Sequence, residues 1–341
     1  MSRHVVVIAE AGVNHNADPD LALKMIKAAK DAGADYVKFQ TAVPELVISS
    51  VAPKATYQEE TTGAGESQLD MCRKLHFPIE YYRELKKECE KAGIGFSSTP
   101  FDLVSLEFLI ELGVDFIKVP SGEITNRLFL EAVAESGLPV VLSTGMSSFE
   151  EVERAVNLLS EPREGETHEE RLRRITLLQC NTQYPTPFSD VNLLAMPKMG
   201  RRLSVRYGYS DHTPGIEASV AAVALGASVV EKHFTLSNSL PGPDQKASLE
   251  PAQLEEMVKA IRNVELALGS PQKEVSPSER ENIIVARKSV VAARDIAKGE
   301  TFTLENITVK RPGNGISAWY IHDVIGREAK RDFPYDSLIE L

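Results

Sequence analysis

The chain has 341 residues, of which 43% are hydrophobic, and this is enough for one large domain and a small one or for two medium domains. Its formal net charge of −11 argues against general nucleic-acid binding, and the sequence has no run of about 18 apolar residues that would cross a membrane. Three scattered cysteines and an N-terminus without the features of a signal peptide lead us to expect a reduced, cytoplasmic protein.

Short runs of apolar and β-branched residues alternate along the chain with amphipathic stretches such as 18–34 and 148–160. Eight of these runs are predicted strands, at 5–9, 36–40, 95–99, 116–120, 140–144, 175–180, 205–210 and 228–233. The last one precedes 249–269, which has the pattern of an eighth helix. Eight strand-and-helix units within about 270 residues predict a (β/α)₈ barrel. An open doubly wound sheet would not require eight strands, and no G-x-G-x-x-G motif follows the first strand.

Two segments interrupt this alternation. Residues 41–78 form a long excursion between the second strand and the second helix, and a loop of this length is usually functional or mobile. Residues 269–282 have the composition of a linker, and 283–341 contain short predicted strands, tight turns and glycine-containing loops. We therefore expect a barrel domain over 1–268, a linker over 269–282 and a small β-rich domain over 283–341. A domain of that size is marginal by itself and needs a partner surface.

Polar side chains stand at the carboxyl end of almost every predicted strand. In a barrel the carboxyl ends of all strands meet at one rim, and this rim carries the chemistry of such enzymes. A purely structural protein would have little reason to place charged groups there. These rim residues are Glu10, Lys38, Gln40, Thr99, Lys118, Ser121, Ser143, Thr144, Asn181, Ser210, Asp211, Glu231 and His233.

His212 and His233 are two of the seven histidines, and each follows an apolar stretch and adjoins a carboxylate. Their spacing of 21 residues equals one strand-and-helix unit. They are therefore predicted at the ends of neighbouring strands, which lie roughly 4.8 Å apart. Either each histidine is hydrogen-bonded within the rim, or the two share a metal ion. Two histidines with carboxylate or water ligands suit Mn²⁺, Fe²⁺, Co²⁺ or Zn²⁺ better than Mg²⁺, and Asp244 would complete such a shell directly or through water.

Lys38 and Lys118 each interrupt an apolar strand, so each needs a partner that offsets its desolvation. A buried salt bridge, an anion site and a Schiff-base lysine are the three interpretations. The recurrence of lysine at two strand ends favours the anion site. Hydroxyl groups that would donate to a phosphate occupy equivalent places at Thr99, Ser121, Ser143, Thr182 and Ser210.

Three carboxylates at strand ends, Glu10, Glu123 and Glu231, would act as general acid or base, hold a metal-bound water or bind sugar hydroxyls. The stretch "KRPGNGIS" places Arg311 in an Arg-Pro-Gly turn of the small domain. Without further information this turn is best interpreted as a plain surface turn.

The whole chain resembles the bacterial sialic acid synthase family, which includes the legionaminic acid synthases. Ten motifs carry the resemblance, and their order along the chain makes it specific. They are "IAEAGVNHN", "VKFQT", "FSSTPFD", "IKVPSGE", "STGM", "CNTQYPTPFSDVNL", "YSDHT", "EKHFTL", "PGPDQKASLEP" and "KRPGNGIS".

This resemblance implies a (β/α)₈ barrel followed by an antifreeze-like (SAF) domain, in a domain-swapped homodimer whose small domains cap the partner barrels. It implies a transferase that condenses phosphoenolpyruvate with an open-chain N-acyl amino sugar. The sugar would be N-acetylmannosamine or 2,4-diacetamido-2,4,6-trideoxymannose, and the product N-acetylneuraminate or legionaminate. The expected cofactor is a divalent metal ion, usually Mn²⁺, with Co²⁺ or Mg²⁺ as substitutes.

The resemblance also implies roles for individual residues. His212 and His233 would bind the metal, with Glu10 and Asp244 in its shell through water or substrate. Lys118 and Ser143 would hold the carboxylate of phosphoenolpyruvate, and its phosphate would be bound by Lys38, Thr99, Ser121, Thr182 and Ser210. The sugar would be bound by Gln40, Glu123, Tyr184, Asp244 and, from the partner's small domain, Arg311. Catalysis would fall to Glu10, Glu231 and Lys118, and the separate roles of the two glutamates stay open.

One position departs from the family pattern. Gln245 stands beside Asp244, at a position where many relatives carry histidine. This difference either affects sugar specificity or is neutral. Two other functions remain as alternatives: a Schiff-base lyase that uses pyruvate, and a non-catalytic carbohydrate-binding protein. The dense polar rim argues against the second, because binding alone does not require two histidines and two buried lysines.

Overall fold

The computed structural model describes residues 4–63 and 65–341, and it divides the chain into two compact units with a boundary between Gly269 and Ser270. The first unit contains eight strands, and all of them overlap the strands predicted from the sequence. They are β1 Val6–Gly12, β2 Tyr36–Thr41, β3 Gly95–Pro100, β4 Ile117–Val119, β5 Val140–Ser143, β6 Ile175–Gln179, β7 Arg206–Asp211 and β8 Val229–His233.

All eight strands belong to one parallel sheet. Their hydrogen-bonded order is β3-β2-β1-β8-β7-β6-β5-β4. The register pairs Glu10 with Lys38 on one side of β1 and with His233 on the other. The terminal strands of this order, β3 and β4, also contact each other, so the sheet curves into a nearly closed barrel. The predicted (β/α)₈ barrel is confirmed.

A helix follows each strand, and the excursion predicted at 41–78 contains three further short helices. The helices of this unit are α1 Pro19–Asp31, α2 Pro44–Val47, α3 Thr56–Thr62, α4 Gln68–Leu75, α5 Tyr82–Ala92, α6 Leu103–Leu112, α7 Arg127–Ser136, α8 Phe149–Leu159, α9 His168–Leu172, α10 Ala195–Leu203, α11 Glu217–Ala224 and α12 Pro251–Leu268. Short 3-10 helices lie at Ile79–Tyr81, Ser121–Glu123, Phe188–Asp190 and Gln245–Ala247.

Capping residues fix where the helices begin. The Asp18 carboxylate accepts hydrogen bonds from the backbone amides of Asp20 and Leu21 at 2.8 and 3.2 Å, before the proline that opens α1. Ser148 and Glu151 form a capping box at the start of α8. These local signals explain why stretches 18–34 and 148–160 are recognisable as helices from sequence.

The barrel interior has an apolar layer below a polar one. Alternate residues of a strand face the same side, so Ile8 lies below Glu10 and Val229 lies below Glu231. Both apolar residues belong to a buried cluster that is separate from the main core between strands and helices. The members of this cluster are Ile8, Phe116, Val141, Leu178 and Val229. The polar rim therefore rests on a packed apolar floor.

The second unit, Ser270–Leu341, is small and rich in β structure. Its elements are a 3-10 helix at Pro277–Glu279, α13 Arg280–Ala286, β9 Ser289–Ala292, β10 Ile307–Lys310, a 3-10 helix at Ala318–Tyr320 and α14 Ile321–Val324. β9 and β10 pair antiparallel, and Phe302 packs edge-on against Phe333 at 5.8 Å in its core. Over the described part of the chain, no helix has the length and apolar character needed to cross a bilayer.

Candidate active site at the carboxyl ends of the strands

Four buried ionisable side chains from four strands, here called the charged cluster, meet at the carboxyl end of the barrel. Lys38 of β2 lies with its Nζ 2.7 Å from the Glu10 carboxylate of β1 and 3.6 Å from the Glu231 carboxylate of β8. Lys118 Nζ of β4 lies 3.5 Å from Glu231. None of the four residues is more than 4% exposed. Two ammonium groups and two carboxylates thus compensate one another out of contact with water.

The two carboxylates of the charged cluster have different acidities. Burial raises the pKa of Glu10 to about 7, against the attraction of Lys38. Burial also acts to raise the pKa of Glu231, but the ammonium groups of Lys118 and Lys38 outweigh it and hold this pKa at about 2. Burial lowers the pKa of Lys118, whereas for Lys38 the adjoining carboxylates overcome burial and raise it.

Three predicted hydroxyl groups contact the charged cluster directly. Lys38 Nζ donates to Thr99 Oγ1 at 2.6 Å, and Lys118 Nζ donates to Ser143 Oγ at 2.8 Å. Ser210 Oγ donates to Glu231 at 2.9 Å. Each lysine is therefore paired with a hydroxyl of the following strand in the chain.

The two remaining predicted hydroxyl residues, Ser121 and Thr182, come together around Gly145, just beyond β5. A Cβ atom at Gly145 would lie 2.8 Å from both Ser121 Oγ and Thr182 Cγ2, and 3.1 Å from Cys180 Sγ. The Ser121 hydroxyl accepts a hydrogen bond from the Gly145 amide at 3.0 Å. Only glycine fits between these side chains, so Gly145 permits their close approach.

His212 and His233 face each other at the ends of β7 and β8, with ring centroids 5.3 Å apart. His212 Nδ1 donates to the carbonyl of Asn181, which leaves a lone pair on Nε2. His233 Nδ1 hydrogen-bonds no described residue and lies 3.9 Å from the Asp244 carboxylate. Burial lowers the pKa of both imidazoles, for His212 to about 4. Both rings are consequently neutral near pH 7, the state in which histidine binds a metal.

The histidine pair fits a metal ion as a partial ligand set. A buried imidazole nitrogen without a partner and an adjacent lone-pair nitrogen are donors of the type that Mn²⁺, Co²⁺ and Zn²⁺ accept. Within the described residues, no group of three or more His, Cys, Asp or Glu side chains is arranged to hold an ion. The remaining ligands of a metal bound here would therefore come from water or substrate. The metal site remains a prediction.

Tyr184 covers the lone pair of His212. Its hydroxyl lies 3.1 Å from His212 Nε2, and its ring stacks on the imidazole with centroids 4.2 Å apart. Tyr57 of α3 in turn stacks on Tyr184 at 5.3 Å. Burial raises the pKa of Tyr184 well above its ordinary value, so the phenol is protonated and donates this hydrogen bond. The excursion at 41–78 thus reaches the histidine pair through two aromatic rings.

A cavity of about 370 Å³, here called the rim cavity, opens beside the histidine pair. Three predicted sugar-binding residues line it, Gln40, Tyr184 and Asp244. Gln40 Nε2 also donates to Glu10 at 3.1 Å, which connects the cavity to the charged cluster. Burial raises the pKa of Asp244 to about 6. The volume is in the range of small-molecule pockets.

Two predicted sugar-binding residues, Glu123 and Arg311, are not among the described residues that line the rim cavity. The Glu123 carboxylate accepts a hydrogen bond from Asn126 Nδ2 at 2.6 Å, in the turn after β4. Arg311 lies in the second unit, where its Nε donates to the carbonyl of Ala286 at 3.1 Å. The roles of both residues stay predictions.

Gln245, the departure from the family pattern, is a buried structural residue. Its amide nitrogen donates to the carbonyl oxygens of Asn14 and Pro241 at 3.0 and 3.3 Å, and its amide oxygen accepts from Thr235 Oγ1. These bonds fasten the segment after β8 to the end of β1. Gln245 therefore acts by holding the backbone beside Asp244.

Sequence reasoning missed an ion pair that supports the histidines from behind. The prediction of Asp211 as a rim residue is wrong, because side chains alternate along a strand. Asp211 and Lys232, which precede His212 and His233, face outward between strand and helix. Their charged groups lie 3.1 Å apart at 0% exposure, and Asp211 also accepts from Ser219 of α11 at 2.7 Å. The alternation of Ser210, Asp211 and His212 was the signal that would have separated inward from outward residues.

Comparison with known proteins places the chain in a family. An eight-stranded parallel barrel with a polar carboxyl rim, followed by a small β-rich unit, defines a class of two-domain barrel proteins. Residues 25–273 match the model of the NeuB family, and residues 287–340 match that of the SAF domain. The chain belongs to the NeuB family, so the resemblance found in the sequence and the expected SAF domain are confirmed.

Curated relatives and solved structures agree with this assignment. The chain is 47% identical to N,N'-diacetyllegionaminic acid synthase of Campylobacter jejuni over 99% of both chains. It is 39% identical to human N-acetylneuraminate-9-phosphate synthase, over 89% of this chain and 82% of that one. The crystal structure of a Leptospira borgpetersenii sialic acid synthetase in complex with citrate matches with a TM-score of 0.69 at 36% identity, over 82% of this chain and 90% of that one.

Proposed function

We propose that this protein condenses phosphoenolpyruvate with an open-chain N-acyl amino sugar and water, and that it releases a nonulosonic acid and phosphate. The observation that carries the proposal is the charged cluster, whose two buried lysines share one barrel rim with two neutral histidines. The names of the relatives, legionaminic acid synthase and N-acetylneuraminate-9-phosphate synthase, support a product of this class.

The lysines supply the anion site in this proposal. In the free protein they are neutralised by Glu10 and Glu231, so an anion that binds there exchanges one set of charge-assisted contacts for another. We assign the carboxylate of phosphoenolpyruvate to Lys118 and Ser143. Its phosphate is assigned to Lys38, Thr99, Ser121, Thr182 and Ser210. Both assignments rest on the lysine–hydroxyl pairs and on the family resemblance.

We assign a divalent metal ion, Mn²⁺ or in its place Co²⁺ or Mg²⁺, to His212 and His233. When bound there it supplies Lewis-acid polarisation of the aldehyde oxygen. The acceptor sugar is assigned to the rim cavity, where Gln40, Tyr184 and Asp244 offer hydrogen-bonding groups to its hydroxyls and acylamino group. Glu123, and Arg311 of a partner subunit in a domain-swapped homodimer, are assigned to the same sugar by family resemblance alone.

The proposed chemistry forms one C–C bond and, at carbon 2, exchanges the C–O bond to phosphate for a C–O bond to the oxygen of water. Carbon 3 of phosphoenolpyruvate attacks the aldehyde carbon, and the aldehyde oxygen takes up a proton. Positive charge develops at carbon 2, and water adds there with loss of a proton, which forms a new C–O bond. Phosphate then leaves with cleavage of its own bond to carbon 2 and takes up the proton of the new hydroxyl, which becomes the keto oxygen. Lys118 holds the reacting anion in place, a positioning effect on the barrier.

The two glutamates have separable tasks in this scheme. Glu10, whose pKa is raised by burial to about 7, exchanges protons near neutral pH. Glu231 lies beside both lysines as an ionised carboxylate and stabilises the positive charge at carbon 2. Glu10→Gln and Glu231→Gln, which each replace a carboxylate by a neutral amide, should therefore lower kcat more than they raise KM.

Phosphate release from phosphoenolpyruvate, measured across a panel of N-acyl amino sugars with and without Mn²⁺, tests the proposal. We expect release that depends on both sugar and metal and that is abolished by His212→Ala. The matched control is His168→Ala, because His168 is an exposed histidine of the same unit.

Two results would contradict parts of the proposal. Full activity after treatment with EDTA would remove the metal from the scheme. Absence of phosphate release with every sugar, together with borohydride trapping of pyruvate on Lys38 or Lys118, would favour the Schiff-base lyase. The lowered pKa of Lys118 makes this second outcome worth testing.

A further inference from the structure

Cys180 is a buried thiol at the carboxyl end of β6, and the proposed chemistry gives it no task. Its exposed fraction is 6%. Leu178, two residues earlier, belongs to the apolar floor inside the barrel, so the alternation along β6 directs Cys180 to the same side. The sulfur therefore lies above this floor, beside the proposed phosphate ligands Ser121 and Thr182.

The hydrogen-bond partner of this thiol is Ser121. Cys180 Sγ lies 3.2 Å from Ser121 Oγ, and the same Oγ accepts a hydrogen bond from the Gly145 amide at 3.0 Å. A serine hydroxyl has one proton to donate and two lone pairs that accept. If the thiol donates, the amide and the thiol fill both lone pairs, and the Ser121 proton is left for a third group.

The direction of this contact decides whether Ser121 can donate to a phosphate. A hydroxyl that donates to sulfur has no proton left for a ligand. Sulfur is a weak acceptor, whereas hydrogen bonds to a charged phosphate oxygen are roughly twice as strong as those between neutral groups. A bound phosphate therefore takes the Ser121 proton, and the thiol proton then turns to the open lone pair of Ser121.

The surroundings hold the two side chains in this arrangement. Cys180 Sγ, Ser121 Oγ and Thr182 Cγ2 all lie within 3.1 Å of the place that a Cβ atom at Gly145 would occupy. This crowding leaves little room for another position of either side chain. A neutral thiol also suits the place chemically, because a carboxylate there would retain the Ser121 proton and would repel the phosphate.

We infer, building on the proposed function, that Cys180 is a positioning residue for phosphoenolpyruvate. Its thiol donates to Ser121 Oγ and thereby directs the Ser121 proton towards the phosphate. Cys180 takes no covalent part in the reaction, since no bond to its sulfur forms or breaks. Its effect on the phosphate passes through Ser121.

Cys180→Ala and Cys180→Ser, compared in the full-length protein, separate the loss of a donor from the loss of volume. In Cys180→Ala the affinity for inorganic phosphate, measured by calorimetry, should fall and the KM for phosphoenolpyruvate should rise by ~2- to ~13-fold, the equivalent of one hydrogen bond. Cys180→Ser, which supplies an O–H donor, should restore most of this loss. The KM for the sugar and kcat should change less than the KM for phosphoenolpyruvate. The matched control is Cys89→Ala, which removes a buried thiol of α5 from the main core.

A double-mutant cycle with Ser121→Ala shows whether the effect passes through Ser121. Cys180→Ala should lower the affinity for inorganic phosphate in the parent protein and have no further effect in the Ser121→Ala background. Infrared spectroscopy adds a measurement that does not require an alanine variant at position 180. The S–H stretching band that is missing in Cys180→Ser should shift when phosphate is added to the parent protein, because hydrogen bonding weakens the S–H bond.

Each outcome decides for or against this role of Cys180. An equal loss of phosphate affinity in both backgrounds, or in Cys180→Ala and Cys180→Ser, overturns the inference even when phosphate release from phosphoenolpyruvate upholds the proposed function. If Cys180→Ala does not fold, an S–H band that phosphate leaves unchanged overturns it in the same way. Coupling between Cys180 and Ser121 in phosphate binding, without phosphate release with any sugar, upholds the inference and overturns the proposed chemistry.

Discussion

The buried pair Asp211–Lys232 should stabilise the barrel only as long as both partners are present. Lys232 Nζ lies 3.1 Å from the Asp211 carboxylate and also donates to the Thr213 carbonyl, and both side chains are fully buried. Asp211 accepts further hydrogen bonds from the amide and hydroxyl of Thr213 at 2.8 and 2.7 Å. Asp211→Leu would leave the Lys232 ammonium without its compensating charge.

The expected cost of this single change is ~3–5 kcal/mol in the free energy of unfolding. A protein of ordinary stability has only ~5–15 kcal/mol in total, so the variant should unfold at a clearly lower urea concentration. The double variant Asp211→Leu/Lys232→Met removes both charges and should recover most of the loss, because well-packed apolar residues replace buried ion pairs at little cost.

Urea denaturation followed by circular dichroism measures these differences, with the slope of the transition as a check that the unfolded state has not changed. A cost below ~1 kcal/mol for Asp211→Leu would equal that of a surface pair and would refute the reasoning. A double variant that is no more stable than the single one would show that the Thr213 and Ser219 hydrogen bonds, rather than the charge, dominate.

Two further predictions concern the histidines. Tyr184→Phe removes the hydroxyl that donates to His212 Nε2 and that would compete with a metal ion for this nitrogen. Mn²⁺ binding measured by calorimetry should therefore become ~2- to ~13-fold tighter, which is the equivalent of one hydrogen bond. Weaker binding would show that the hydroxyl does not compete with the metal. The second prediction concerns His15, a histidine beyond the end of β1 that is fully buried and stacks on Phe77 at 4.5 Å. Burial lowers the pKa of His15 to about 3, so the stability that depends on its neutral form is complete above the ordinary pKa of histidine and is lost as the pH falls towards 3. His15→Asn should flatten the decline of the unfolding free energy between pH 6 and 4 by up to ~1.4 kcal/mol per pH unit, and an unaltered decline in urea titrations would count against this.

The barrel could be predicted because its strands are short apolar runs at regular spacing. Each run is buried on both faces, as parallel strands in a barrel must be, and the periodicity changes clearly between strands and helices. The excursion gave no such signal, since α2, α3 and α4 are short and their side chains acquire meaning only from the cavity that they line. The polar composition of this loop does not reveal which of its side chains will line a cavity.

The site was predictable as a set of residues but not as a set of contacts. The position of Lys38, Lys118, Glu10 and Glu231 at strand ends predicts their convergence, because all carboxyl ends share one rim. Which lysine pairs with which carboxylate depends on the strand order around the barrel, and Glu231 reaches both lysines only because β8 lies across from β4. Tyr184 covering His212 depends on the path of a loop that local sequence does not determine.

The charged cluster connects the two ends of the hydrogen-bonded sheet, and this connection bears on the stability of the barrel. β3 and β4 are the ends of the hydrogen-bonded sheet, so the seam of the barrel runs between them. The Lys38–Thr99 contact lies on the β2–β3 side of this seam, and the Lys118–Ser143 contact lies on the β4–β5 side. Glu231 touches both lysines and so links the two edges from within. An anion bound by both lysines would join the same two edges of the sheet. Its binding would therefore also stabilise the barrel at the β3–β4 seam, where the sheet lacks backbone hydrogen bonds.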